Sequence, residues 1–106
     1  MDEIVIFITT PSKEEGEKIG RMLVEKKLAA CANIFSPISS IFSWQGKICH
    51  EEETFIILKS RKACFAKLTE EVKRHHSYSV PEIIALPLVE GAADYLKWIR
   101  ENTQME

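Results

Sequence analysis

Apolar residues in this chain fall into unbroken runs and helix-spaced stripes that alternate along its length. Ile4-Val5-Ile6-Phe7-Ile8 is apolar without alternation and rich in branched side chains, which predicts a strand covered on both faces. Thr9-Thr10-Pro11 ends it. Ser12-x-x-Glu15 has the form of a capping box, in which the serine oxygen and the glutamate reciprocally satisfy free backbone N–H groups. A helix is expected from there to about Lys27, with Gly16, Ile19, Gly20 and Leu23 on one stripe; two glycines on that stripe predict close approach to the sheet.

Leu28-Ala29-Ala30-Cys31-Ala32-Asn33-Ile34-Phe35 suits a second, tightly packed strand. Ser36-Pro37 interrupts it, because proline cannot donate to a sheet ladder, and pairing is expected to resume at Ile38. Ile41-Phe42-Ser43-Trp44 meets Gln45-Gly46, a hairpin turn, and the return strand runs from Lys47 through Glu51-Glu52-Glu53 to Leu58. Each arm approaches a dozen residues, roughly 40 Å at ~3.3 Å per residue, so the hairpin outruns its own domain. Ser60 is expected to cap a second helix with Phe65, Leu68 and Val72 on its buried stripe; His75 and His76 follow near the edge of that stripe, about 100° apart. Ile83 to Val89 reads as the last core strand. Ala92, Tyr95, Leu96 and Ile99 outline a C-terminal helix with Trp98 at its margin, and Gln104-Met105-Glu106 is expected to fray.

Strand, helix, strand, strand, helix, strand is the order of two split βαβ units. Right-handed crossovers assemble it into an α+β, ferredoxin-like βαββαβ sandwich, here with a long β2-β3 hairpin and an extra C-terminal helix, as a single domain over residues 1–106. Two helices cover only one face of the sheet, yet Ile4–Ile8, Phe55–Leu58 and Ile83–Val89 are apolar on both sides. Several such side chains left in water at ~1.5–3 kcal/mol each argue for a closed homo-oligomer that covers the second face.

Composition narrows the partners. The 106 residues carry a formal net charge of −2, with lysines and arginines scattered among acids, which gives no stripe for nucleic acid. No apolar run is long enough to span a bilayer, and Met1-Asp2-Glu3 leads straight into a strand without a signal-peptide pattern, so no membrane is expected and the location expected is cytoplasmic. Cys31, Cys49 and Cys64 are odd in number and dispersed, which argues against a disulfide framework or a closed zinc site.

Five stretches together resemble the CutA family, associated with tolerance to divalent cations: Leu28–Asn33, Trp44-Gln45-Gly46-Lys47-Ile48, Leu58-Lys59-Ser60, His76-Ser77-Tyr78 with Val80-Pro81-Glu82, and Tyr95–Ile99. The resemblance covers nearly the whole chain and implies a tight homotrimer with long hairpins wrapping neighbouring subunits. The chain departs from the family at Ser77, where proline is usual, at Thr9, where some members have cysteine, and at Phe42, where a hydroxylated aromatic is common.

The densest polar stretch is Lys73 to Glu82, at a helix-to-strand junction. Basic residues there also complement the helix dipole, the plain structural explanation. Three chemistries are weighed for it. The first is a metal site of His75 or His76 with Cys31, imidazole and thiolate suiting copper or zinc among the divalent metal ions. Against it, a cysteine in a small apolar strand is more often a packing residue, and Cys49 and His50, as strand neighbours, point to opposite faces. The second is a module resembling the trimeric PII signalling type, with Lys59, Tyr78, Glu82 and Trp44 lining a cleft between subunits for a small anionic ligand; no organic cofactor is expected. The third, an enzyme with Cys31 as nucleophile and His76 as base, ranks last, since no spacing supports the pair.

Overall fold

The structure is a computed structural model and describes residues 1–104. In chain order it contains β1 (Glu3–Thr10), α1 (Lys13–Glu25), β2 (Cys31–Trp44), β3 (Lys47–Arg61), α2 (Lys62–His75), β4 (Ile83–Pro87) and α3 (Ala93–Glu101). The sheet is antiparallel throughout, in the order β2-β3-β1-β4. This is the ferredoxin-like arrangement expected from the element order.

One face of the sheet forms the core with α1 and α2. Ile4, Ile6 and Ile8 of β1 and Ile56 and Leu58 of β3 pack there on Ile19, Leu23, Leu68 and Val72, all at 3% exposure or less. The glycines of α1 let it settle on the strands: a Cβ at Gly16 would lie 2.9 Å from Thr54 Cγ2 and one at Gly20 3.2 Å from Ala32 Cβ. The other face carries Val5, Phe7, Phe35, Phe55, Ile57, Ile84 and Leu86 in register. Phe7 and Phe55 rings lie 5.3 Å apart and Phe35 and Phe55 rings 6.2 Å apart, but Phe35, Ile84 and Leu86 stay about half exposed. Among the described residues, one end of this face is closed. There α3 seats Leu96 and Ile99 on Ala30 and Leu88, with Arg100 on buried Glu3 at 2.9 Å.

The hairpin is as long as its two arms predicted, and the molecule extends 43 Å along its longest axis. Its register shifts between Phe35 and Ile38, where Ser36–Pro37 is cis. The extra residue reverses the alternation in β2. Phe42 and Trp44 therefore share a side of the ribbon with Cys49, Glu51 and Glu53, continuous with Phe35 and Phe55.

Several sequence expectations change, beginning with the second strand, which starts at Cys31 and not at Leu28. Ser60 does not cap α2: β3 runs to Arg61, and Ser60 Oγ is buried, donating to the Leu28 carbonyl at 2.6 Å. β4 stops at Pro87, after which Leu88 packs under α3 and Val89 is 83% exposed. Phe65 is half-buried rather than central to the α2 stripe. Gln104 does not fray, because its N–H bonds the Lys27 carbonyl and its carbonyl accepts from Arg61 and Cys64; Met105 and Glu106 lie outside the described residues.

Candidate functional site

The segment after α2 is built around His76. The helix ends at His75, and His76 turns extended at φ −86°, ψ 140°, which swings its ring out of helical register and into the protein, where it is 9% exposed. The Tyr78 N–H donates to His76 Nδ1 at 3.0 Å, so the ring proton resides on Nε2, which donates to the Thr9 carbonyl at 2.8 Å. Both nitrogens are occupied. Glu15 completes the corner: its carboxylate accepts from the Ser77 N–H at 3.0 Å and from Ser77 Oγ at 2.9 Å, and approaches His76 Nδ1 at 3.4 Å. The expected capping box is thus only half formed. Ser12 Oγ accepts from the Glu15 N–H, while the glutamate side chain reaches across to Ser77, whose N–H a proline would lack.

Beyond this corner, Ser77–Glu82 crosses to the hairpin. The Tyr78 hydroxyl donates to Glu53 Oε2 at 2.7 Å, and burial, with that bond and the charges of Glu53, Glu51 and Glu15 behind it, holds the phenol well above the usual tyrosine range. Glu82 is shifted too. Burial, and then the charge of Glu53, raise its carboxyl above the ordinary carboxylate range against a smaller pull from Thr9. Between loop and hairpin lies a cleft of about 660 Å³, walled by Phe42, Trp44 and Tyr78 and carrying Cys49, Glu51, Glu53 and Glu82.

The sequence candidates separate accordingly. Trp44, Tyr78 and Glu82 share this cleft, but Lys59 does not. It sits mid-sheet beside Cys31 with its ammonium on Asn33. Within one chain the cleft is acidic, so an anion held there between subunits would need its cation from a neighbouring copy. His75, His76 and Cys31 are not brought together within one chain: Cys31 pairs with Lys59 while His76 bonds Thr9, the partner of Phe55. Those positions are four residues apart along β3, about 13 Å. The same separation leaves the nucleophile–base pair unmade, and Cys31 Sγ instead faces Asn33 Oδ1 at 3.6 Å. Of the two histidines, exposed His75 uses one nitrogen, its Nδ1, on the Glu71 carbonyl at 2.9 Å, and its Nε2 has no partner among the described residues. Cys49 and His50 do point to opposite sides, and His50 Nε2 bonds Ser39 Oγ at 2.7 Å. Among the described residues no three His, Cys, Asp or Glu side chains are grouped to hold a metal ion. Glu53 was missed as a site residue. Strand alternation from Phe55 would have placed Glu53 and Glu51 on one side and Glu52 on the other.

The family described as "CutA1 divalent ion tolerance protein" matches residues 4–102. The chain belongs to the CutA1 family. A Thermus thermophilus protein named divalent-cation tolerance protein CutA is 48% identical over 101 residues, covering 95% of this chain and 98% of the relative. The chloroplastic CutA of Arabidopsis thaliana is 42% identical over 101 residues, covering 95% of this chain and 56% of that longer protein. The crystal structure of CutA1 from Oryza sativa matches the fold with a TM-score of 0.96 at 40% identity, over 100% of this chain and 97% of the other.

Proposed function

We propose that this CutA1-family chain works in divalent-cation tolerance as a closed homotrimer that binds copper, zinc or a related cation, with His75 as the leading ligand. The observation that carries the metal reading is the state of His75. Its Nδ1–H is committed to a backbone carbonyl, which fixes the tautomer and leaves Nε2 with a lone pair toward solvent, the arrangement metal-binding histidines use. Cys31 supplies a half-buried thiol on the open sheet face. Since one chain keeps the two apart, a site using both takes them from different copies. The open face favours such an assembly, with Phe35 at 49%, Ile84 at 52% and Leu86 at 50% exposure awaiting cover.

The related proteins are named for tolerance to divalent cations and not for a catalysed reaction, and the reading here is of a binding protein. Among the described residues no helix is long and apolar enough to cross a membrane. Relatives are described as chloroplastic and, for an Archaeoglobus fulgidus structure, periplasmic; a cytoplasmic location for this chain is part of the proposal.

Zinc titration against a chromophoric chelator, and copper(I) titration under reducing conditions, test the site. His75→Ala is expected to weaken binding about tenfold or more, Cys31→Ser to weaken it less, and His76→Ala to leave it unchanged. Parent-like binding by both His75→Ala and Cys31→Ser would remove the metal assignment. Sedimentation of the metal-free protein tests the trimer separately, and a folded monomer at micromolar concentration would end that part.

A further inference from the structure

The cleft between the hairpin and the Ser77–Glu82 loop is not used by the metal reading, and its chemistry is of another kind. Glu53 is 7% exposed, and it has no Lys, Arg or His partner among the described residues. Its Oε2 takes the Tyr78 hydroxyl, while Oε1 accepts no hydrogen bond from them. The other charged groups lining the cleft, Glu51 and Glu82, have the same sign. A largely buried carboxylate with like charges beside it favours a positive ligand over an anion. The walls say which kind. A volume of about 660 Å³ suits a small organic molecule and far exceeds one metal ion, and the donors do not converge as a coordination shell. Phe42 at 38% and Trp44 at 46% exposure, with Tyr78, instead present aromatic surface, which attracts alkylated or delocalised cations through the ring quadrupole.

We propose that this cleft binds a small organic cation, an alkylammonium or guanidinium compound, held by Glu53 and Glu82 among the aromatic side chains of Phe42, Trp44 and Tyr78. The aromatic walls fit the methylene or guanidinium body of such a ligand, and the two carboxylates fit its charge. An inorganic cation would match the charge alone.

The test uses the full chain in its native oligomeric state at low salt, with spermidine, choline and arginine amide as probes, read by calorimetry and by indole fluorescence in a Trp98→Phe background. At least one probe is expected to bind saturably. Glu53→Gln, which keeps an acceptor for Tyr78, and Trp44→Leu, which keeps apolar bulk without the ring, are each expected to weaken binding about tenfold or more. His75→Ala is expected to bind the probe as the parent does, which separates this site from the metal reading. Should Glu53→Gln fail to fold by circular dichroism, Glu82→Gln takes its place. The proposal is overturned if no probe binds, if the variants bind like the parent, or if zinc or manganese occupies the cleft in place of the organic probes. A lysine or arginine of a neighbouring copy seated in the cleft in a crystal structure overturns it as well.

Discussion

The seven residues from His76 to Glu82 join two polar regions of opposite character. At the His76 end both imidazole nitrogens, the Ser77 N–H and hydroxyl, and the Glu15 carboxylate close on one another and on the Thr9 carbonyl. At the Glu82 end, Glu53, which accepts the Tyr78 hydroxyl, and Glu82 face an open cleft that no Lys, Arg or His among the described residues lines. The first region spends its hydrogen-bonding capacity on holding the chain, and the second leaves charge over. A dense run of chemistry-bearing residues is therefore a poor guide to a site, because a satisfied histidine is a fastener, whereas a largely buried carboxylate without a counter-charge favours a positive ligand.

Deleting the fastener should have the largest effect. His76→Ala removes a buried ring, leaves the Thr9 carbonyl and the Tyr78 N–H without partners, and is expected to cost about 3 kcal/mol in urea unfolding. Protein concentration must be held fixed across variants, because an oligomer's stability depends on it. A loss under ~1 kcal/mol would mean that the loop is secured elsewhere and that the contrast between the two ends is overstated.

The cleft should respond less, and asymmetrically. Tyr78→Phe takes from Glu53 its only hydrogen-bond donor among the described residues and is expected to cost ~1–3 kcal/mol, the penalty for a buried acceptor left unmatched. Glu53→Gln keeps an acceptor for the tyrosine and removes a charge that has like-charged neighbours, so it is expected to fall within ~0.5 kcal/mol of the parent or to stabilise. Equal losses for the two variants would show that the Glu53 charge is compensated in the assembly, and the cleft would lose its claim on a cation.

How much of this the sequence could show depends on the range of the interactions involved. The strands and helices were legible because period and punctuation are local: Ile4–Ile8, the Ser12 cap and the Gln45-Gly46 turn each announce themselves within a few residues. Ser60 and Glu15 were misread because the partners that claim their side chains, Leu28 and Ser77, are distant in sequence. Local capping rules lost to tertiary hydrogen bonds that bury the same groups. Trp44, Tyr78 and Glu82, expected together in a cleft between subunits, already meet within one chain, whereas Lys59 lies opposite Cys31 in the β2–β3 register with its ammonium on Asn33, a placement that only the strand register could show. Glu53 was hidden inside a run of three glutamates that reads as solvated edge protection, although strand alternation separates it and Glu51 from Glu52.

The smallest expected effect concerns pH and tests whether the cleft carries excess negative charge at all. Burial and the charge of Glu53 hold Glu82's proton more tightly in the folded chain than in the unfolded one. A carboxyl of that kind adds stability while protonated, and the contribution is lost as pH rises from the unfolded value of ~4.3 through the raised folded value. Glu3 and Glu71 behave oppositely. Hydrogen bonds from Arg100 and Lys26, respectively, hold them below the ordinary range, so their contribution is present above ~4.3 and lost as pH falls through their lowered values. Stability measured from pH 3 to 8 should thus show an acid loss from Glu3 and Glu71 and a separate shallow decline from Glu82 as pH rises above the unfolded value of ~4.3. Glu82→Gln is expected to flatten the second slope and spare the first. If the variant and parent profiles superimpose over the whole range, Glu53 and Glu82 do not sense each other, and the two ends of the loop differ less than their geometry implies.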